Sequence, residues 1–373
     1  VWHSCGLSFH DMLKLRDLNR QGAIMKALVF HGPGKKSWEE VASPALLADT
    51  DAIVRVEATT ICGTDLHILK GDVPTVIEGR ILGHEAVGTV TLVGSAVKNI
   101  ETGDRVLVSC VSACGHCRYC REGSYGQCLG GGGWILGNTI DGTQAEFVRV
   151  PFADNSTYLV PDGFTDEETL MLADILPTGF EVGVLNGQVK PGDVVVVVGA
   201  GPIGLSAISA AQLYTPSLII AVDLADSRLE SAKKFGADLT INNSSQDALA
   251  TVLEATGGRG ADVAIEAVGI PATFELAADL VCPGGHIANV GVHGAPAALH
   301  LERLWDKNVT ITTGLVDTSS TPTLLKLLAS RRLRSDNFVT HHFTFDQFLE
   351  AYDTSMRAGE TGAIKVAISR PPA

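Results

Sequence analysis

Four cysteines, Cys114, Cys117, Cys120 and Cys128, fall in the spacing C-x2-C-x2-C-x7-C along a short, glycine-dotted stretch. Thiolates two residues apart can converge on one tetrahedral ion, and the longer gap lets the chain loop back to supply the fourth. Gly115, Gly123 and Gly126 provide the turns. Four thiolates saturate a tetrahedral zinc and leave no position for substrate, so the stretch reads as a structural metal site. Two disulfides and an iron–sulfur cluster are the competing uses of the same sulfurs. A reducing compartment disfavours the first, and spacing alone does not exclude the second. Cys110 and His116 lie close by, but the four spaced cysteines already fill the site.

Turnover then needs other residues. "ICGTDLH", Ile61 to His67, and "LGHE", Leu82 to Glu85, offer a thiolate (Cys62), an imidazole (His84) and a nearby carboxylate (Glu85) from separate loops. A third ligand beside Cys62 and His84 would make an open zinc site with its fourth position free for substrate. Asp174, in "MLADILPTGF", is the candidate. It is a lone acid among Met171, Leu172, Ala173, Ile175 and Leu176, and a carboxylate in such company needs a cation or a donor to offset its desolvation. A helix cap or a buried hydrogen bond would serve it equally well.

A third stretch points to a dinucleotide. "KPGDVVVVVGAGPIG" is a turn, a β-branched strand (Val194 to Val198), and then Gly199, Gly201 and Gly204 in G-x-G-x-x-G, with Pro202 and Ile203 between them. A helical run, Leu205 to Leu213, follows, which is the context the motif requires. The glycines let backbone approach a pyrophosphate at a helix N-terminus. Asp223 ends the next strand, "SLIIAVD", about 20 residues on, where an acid accepts hydrogen bonds from the adenosine ribose. Its charge repels a 2′-phosphate, which favours NAD over NADP; Arg228 would flank the adenine edge. Val268, Gly269 and Val292, after the later strands "ADVAIEAVG" and "GHIANVGVHG", are candidates for the nicotinamide side, with plain loop geometry as the other account of Val268.

These groups must be carried by elements the chain can build. At 373 residues it is longer than most single cores, so two domains are expected. The strand–helix alternation of the later part predicts a doubly wound parallel sheet, and the Pro177–Thr178–Gly179 break marks its start. With 45% hydrophobic and 19% charged residues the composition is that of a globular protein, and a net charge of −14 argues against nucleic acid. No apolar run reaches the roughly 18 residues of a membrane helix. Residues 1–24 mix Trp2, His3, Asp11 and Arg16 without the apolar core of a signal peptide, while "MKALVF" from Met25 reads as a first strand. They are expected to be an extension ahead of a natural start at Met25, with a native N-terminal arm as the alternative. A cytoplasmic location follows.

In this order, "CGTDLH", "GHEAVG", "GDRV", the four-cysteine lobe, "TGF" and "GAGPIG" make the chain from Met25 onward resemble the zinc-dependent alcohol dehydrogenases of the medium-chain dehydrogenase/reductase family. The resemblance implies an α/β architecture. A GroES-like, partly open β-barrel catalytic domain (residues 25–175 and 316–373, with the zinc lobe at 110–130) is split around a Rossmann domain (176–315). It matches Cys62, His84 and Asp174 to the catalytic zinc ligands, and Glu85 to a carboxylate that approaches the metal in some members. Thr64 matches the hydroxyl that meets the substrate oxygen, and His67 the end of a proton relay that runs through the NAD ribose. It further implies two zinc ions per chain, NAD as cofactor, a small alcohol or carbonyl substrate, and a homo-oligomer, a tetramer in preference to a dimer. Asp at the third ligand, and Trp134 in "GGGWILGNTIDG", resemble the secondary-alcohol branch, in which such a Trp lines the pocket; packing of the lobe is the other use of that indole. The branch often lacks the lobe and uses NADP, so the chain looks like an intermediate subtype. Polyol, threonine and formaldehyde dehydrogenases share much of the motif set. A zinc-free quinone reductase lacks the ligand set, and a non-enzymatic zinc-binding redox sensor would not require Thr64 and His67.

Overall fold

In "AIVRVEATT", alternate residues differ in polarity, and the strand Ala52–Thr60 sends them to opposite faces. Ala52, Val54 and Val56 enter a core, whereas Arg55 and Glu57, two apart on the other face, pair with each other at 2.7 Å. The computed structural model describes residues 23–371, and these form two units. The first comprises the described residues up to Ala173, with 339–357 and the stretch from Lys365 onward. Its seven-stranded sheet runs in the order Val339–Thr344, Lys365–Ser369, Ala52–Thr60, Ala86–Val93, Arg105–Val108, Thr157–Leu159, and Phe147–Val150 also pairs with Ala52–Thr60. Only the first pair is parallel. An antiparallel hairpin, Ile24–Phe30 with Lys36–Ala42, joins it through single bridges from Ala27 to Ala145 and from Val29 to Ile81. Late in the chain the helix Phe348–Met356 returns Phe348 and Tyr352 to this core, where Phe348 stacks on Trp38 at 4.5 Å. Residues 1–22 of the expected extension lie outside the described residues, and Ile24 already pairs with Ala42.

Register places the chemistry. Thr59 is opposite Ala86, and Thr60 is opposite Ala367 across the neighbouring strand. Cys62 therefore leaves one strand where His84 and Glu85 enter the next, with Lys365 arriving on the other side.

The second unit runs from Asp174 to Phe338, with 358–364. Its six strands are all parallel, in the order Leu239–Asn242, Leu218–Asp223, Val194–Val198, Ala261–Glu266, Val281–Asn289, Thr310–Thr313. Val194–Val198 is buried along its whole length, as a strand with both faces covered must be. On either side of it the strand order runs in opposite directions, and ligands of such sheets bind at that switch point.

Two local readings differ from what is observed. The second unit runs on to Phe338, beyond the return at 316. The Glu181 carboxylate accepts from the backbone N–H groups of Asp317, Thr318 and Ser320 at 2.8–3.0 Å, and Phe338 packs edge-on against Phe235 at 4.5 Å. Pro177–Thr178–Gly179 is no break, because helix Ile175–Thr178 passes straight into a π-helical turn, Gly179–Leu185. Proline is tolerated there because the first N–H groups of a helix have no intrahelical partner to lose.

Candidate active site

Cys62 is the N-cap of helix Gly63–Lys70, with extended backbone (φ −98°, ψ 159°). Its N–H donates to Asp65 Oδ2 at 2.9 Å, which fixes the strand-to-helix turn. Gly83, at φ +91°, turns the chain into His84, and a Cβ there would meet Gln144 at 2.5 Å. Glu85 is pinned by its carbonyl, which accepts from the Thr59 and Thr143 hydroxyls at 2.7 and 3.0 Å. Asp174 caps helix Ile175–Thr178, its Oδ1 accepting from the Thr178 hydroxyl at 2.6 Å. It follows directly on Ala173, whose carbonyl accepts from the Cys110 N–H at 3.0 Å. A cap, a buried hydrogen bond and a ligand were the alternatives for Asp174: it stands at the N-cap position with no side-chain capping bond to the helix backbone, its carboxyl takes the Thr178 hydroxyl, and the same carboxyl stands with the other donors. One ligand atom each from Cys62, His84, Glu85 and Asp174 lies within 4.8 Å of the rest.

One soft sulfur, one imidazole and two carboxylates in a mostly buried group suit zinc. Glu85 Oε1 is held by the Lys365 ammonium at 2.7 Å, an ion pair with both partners buried. Cys62, His84 and Asp174 are then the set that would hold the metal. His84 Nδ1 lies 4.0 Å from Asp65 Oδ1. Burial pushes the Asp65 carboxyl up, opposed by His84, by the Cys62 amide and by Lys365. The Trp134 ring stands edge-on to His84, with centroids 6.3 Å apart, and also packs against the main core. Thr64 Oγ1 is 3.7 Å from Cys62 Sγ, and His67, three residues further along the same helix, carries Asp72 Oδ2 at 2.9 Å from its Nδ1.

The four lobe cysteines converge as their spacing requires, with sulfurs within 4.8 Å of one another. Cys110 and His116 stay outside that group; His116 Nδ1 binds the Cys114 carbonyl at 2.8 Å. Backbone N–H groups aim at the sulfurs: Leu129 at Cys117, and Cys114 and Gly130 at Cys128, each at 3.4 Å. Such donors, the Cys120 amide foremost, draw the Cys117 thiol down to about 6, while burial and the neighbouring sulfurs push Cys120 up to about 12. Sulfurs that oppose one another's ionisation, surrounded by donors, fit a dication.

In the second unit the helix Pro202–Ala211 starts from Gly201, whose open side holds nothing within 4 Å of a notional Cβ. Gly204 packs so closely on its strand that a Cβ would lie 1.8 Å from the Gly199 carbonyl. Pro202 and Ile203 occupy the first turn. Asp223 ends its strand, with Oδ2 on the Ala200 N–H at 2.8 Å and the exposed Arg228 at 3.9 Å. Val268 and Val292 are exposed beyond the strand ends. Beneath them, Glu266 Oε1 holds the Val268 and Gly269 N–H groups at 2.9 and 2.8 Å. This cradle fits a dinucleotide.

Asp65, Gln144, Tyr352, Lys365, Glu181 and Glu266 were not foreseen. Asp65 alone left a local signal, an acid three residues after an N-cap.

The alcohol dehydrogenase GroES-like domain matches residues 48–162, and the zinc-binding dehydrogenase domain matches 202–330. An alcohol dehydrogenase of Cupriavidus necator is 39% identical over 365 residues, covering 93% of this chain and 99% of its own. The apo form of zinc-dependent alcohol dehydrogenase 2 from Streptococcus pneumonia superposes with a TM-score of 0.90 at 48% identity, over 94% and 99% of the two chains. An alcohol dehydrogenase from Escherichia coli CFT073, complexed with cofactor NADH, gives a TM-score of 0.84 at 30% identity over 93% and 100%. A converged donor set, a dinucleotide cradle and likeness along nearly the whole length lead to one family, and the chain belongs to the zinc-dependent alcohol dehydrogenases of the medium-chain dehydrogenase/reductase type.

Proposed function

We propose that this protein interconverts alcohols, secondary ones by preference, and the corresponding carbonyl compounds, with NAD(H) as hydride carrier and two zinc ions per chain. The observation that carries the reading is the convergence of Cys62, His84 and Asp174 beside Glu85. Zinc held by Cys62, His84 and Asp174 would supply a Lewis acid for a substrate oxygen, and NAD in the cradle would supply the hydride acceptor. The protein's own work is placement and proton transfer. Thr64 Oγ1, beside the Cys62 sulfur, accepts the proton of the substrate hydroxyl as it hands its own on toward His67. Because a carboxylate only accepts, Asp72 fixes the His67 proton on Nδ1 and leaves Nε2 to pass protons to solvent. Lys365 holds the Glu85 carboxyl group in an ion pair at the edge of the donor cluster. The Trp134 indole, edge-on to His84, would wall the substrate side of the site, and a flat wall that admits a carbon on either side of the reacting centre is in keeping with a secondary-alcohol preference.

Asp223 supports NAD over NADP. The apolar Leu301 and Trp305, exposed on the segment that leads into the edge strand Thr310–Thr313, support a homo-oligomer, and the family resemblance favours a tetramer over a dimer. A four-thiolate lobe site, which requires its cysteines reduced, supports a cytoplasmic setting. The test is the rise of NADH absorbance when a secondary alcohol is added, with loss of the rise after chelation. Turnover that survives removal of the zinc would sink the reading.

A further inference from the structure

Behind His84 lies a line of buried polar groups that the reaction does not use. Asp65 Oδ2 accepts from the Cys62 N–H and, at 3.0 Å, from Gln144 Nε2; its Oδ1 faces His84 Nδ1. Gln144 spends its second amide proton on the Thr60 carbonyl at 3.1 Å. Both of those neighbours only accept, so the amide is oriented and Gln144 Oε1 points away from them. There it accepts from the Tyr352 hydroxyl at 2.7 Å. Asp65, Gln144 and Tyr352 are all nearly or wholly shut off from water. The line ends where the Lys36 ammonium sits 5.1 Å over the Tyr352 ring.

We propose that Tyr352, on the late helix Phe348–Met356, is a positioning residue for the metal: through Gln144 it holds Asp65 against His84 and so fixes the imidazole that ligates zinc. Three facts converge on this. A hydroxyl donating into the amide carbonyl polarises the amide and strengthens its N–H toward Asp65. The carboxylate so held is the acidic neighbour of His84 Nδ1, 4.0 Å away, and neighbours of this kind orient a ligating histidine. Without the hydroxyl, Gln144 Oε1 would be buried with no donor, and the amide N–H, no longer polarised, would hold Asp65 less firmly. Packing alone would need a ring in that place and would not need its oxygen.

The inference rests on Cys62, His84 and Asp174 being the catalytic metal site, and one experiment separates the two. Zinc-loaded protein is mixed with a colour-forming chelator and release is followed in time. Native protein should give two phases, and the one missing in Cys62→Ser belongs to the catalytic site. Tyr352→Phe, which keeps the ring, should speed that phase about tenfold and leave the lobe phase unchanged; partners that orient metal ligands are worth ~10–100-fold in affinity. Phe348→Leu, on the same helix and in the same core, is the control for general loosening and should lower the melting temperature without moving the phase. In cobalt-substituted protein the visible band should shift in Tyr352→Phe only. Should Tyr352→Phe not fold, Gln144→Met is read in the same assay with the same expectation. Unchanged release in Tyr352→Phe, or equal acceleration in Phe348→Leu, overturns the proposal. A single phase in native protein, already equal to that of Cys62→Ser, would overturn the metal reading and this inference with it.

Discussion

Thr64 and His67 sit on one face of one short helix but carry different burdens. In the proposed reaction the threonine hydroxyl meets the reacting oxygen, so Thr64→Ala should lower kcat by about a hundredfold or more, with zinc content and NADH binding unchanged. His67, at the solvent end, can be replaced by water, and His67→Ala should cost about tenfold. Steady-state rates with titrations of NADH fluorescence check both, and near-native kcat in Thr64→Ala would remove the proton role. Asp223 is a separate matter. Asp223→Gly abolishes the repulsion of a 2′-phosphate along with the ribose hydrogen bonds, so kcat/KM with NADP should rise relative to NAD. Native protein that preferred NADP would contradict that role. At this scale the donors Cys62, His84 and Asp174 were legible because their types are unusual where they stand. Lys365 and Tyr352 were not. They meet Glu85 and Gln144 from 280 and 208 residues away, and contact over such a distance leaves no local pattern to read.

Elements carry the next set of consequences. The lobe is a short loop with little apolar core of its own, so a metal bound there would supply folding free energy. Cys117→Ser should lower the melting temperature and the zinc content by one ion per chain, as thermal denaturation with elemental analysis would read. Full zinc content in that variant would exclude the closed four-thiolate site. Glu181 gathers the backbone of 317–320 on one carboxylate. Glu181→Gln turns an amide N–H toward those donors and should destabilise the second unit by about 2 kcal/mol. Chemical denaturation measures it, and a change below ~0.5 kcal/mol would mean that the loop holds itself. The strand Val194–Val198 and the glycine turn after it were legible from their local composition. The course through Pro177 was misread because a proline in a first helical turn looks like a stop.

The molecule as a whole should hold two zinc ions per chain, and prolonged chelation should remove activity before it removes secondary structure. Elemental analysis beside circular dichroism checks the order. Loss of both together would mean that the two metals are not separate in role. The two-unit plan was legible because the motifs of the two halves differ in period, β-branched runs against alternating strands. The point of return at Phe338 was not, since it depends on Glu181 and Phe235 far upstream.

The strand Lys365–Ser369 lies between Val339–Thr344 and Ala52–Thr60 in the first unit's sheet, although it is made last. On the ribosome, the early strands must therefore wait for their neighbour while the whole parallel-sheet unit is synthesised. Until Tyr352 and Lys365 emerge, the nascent chain has neither the hydroxyl behind Gln144 nor the ammonium beside Glu85. The lobe cysteines, close together in sequence, face no such delay and can take their ion early. Metal loading should then be ordered by synthesis, lobe first and catalytic site at the end, and a stalled chain ending near residue 338 should retain zinc in the lobe alone.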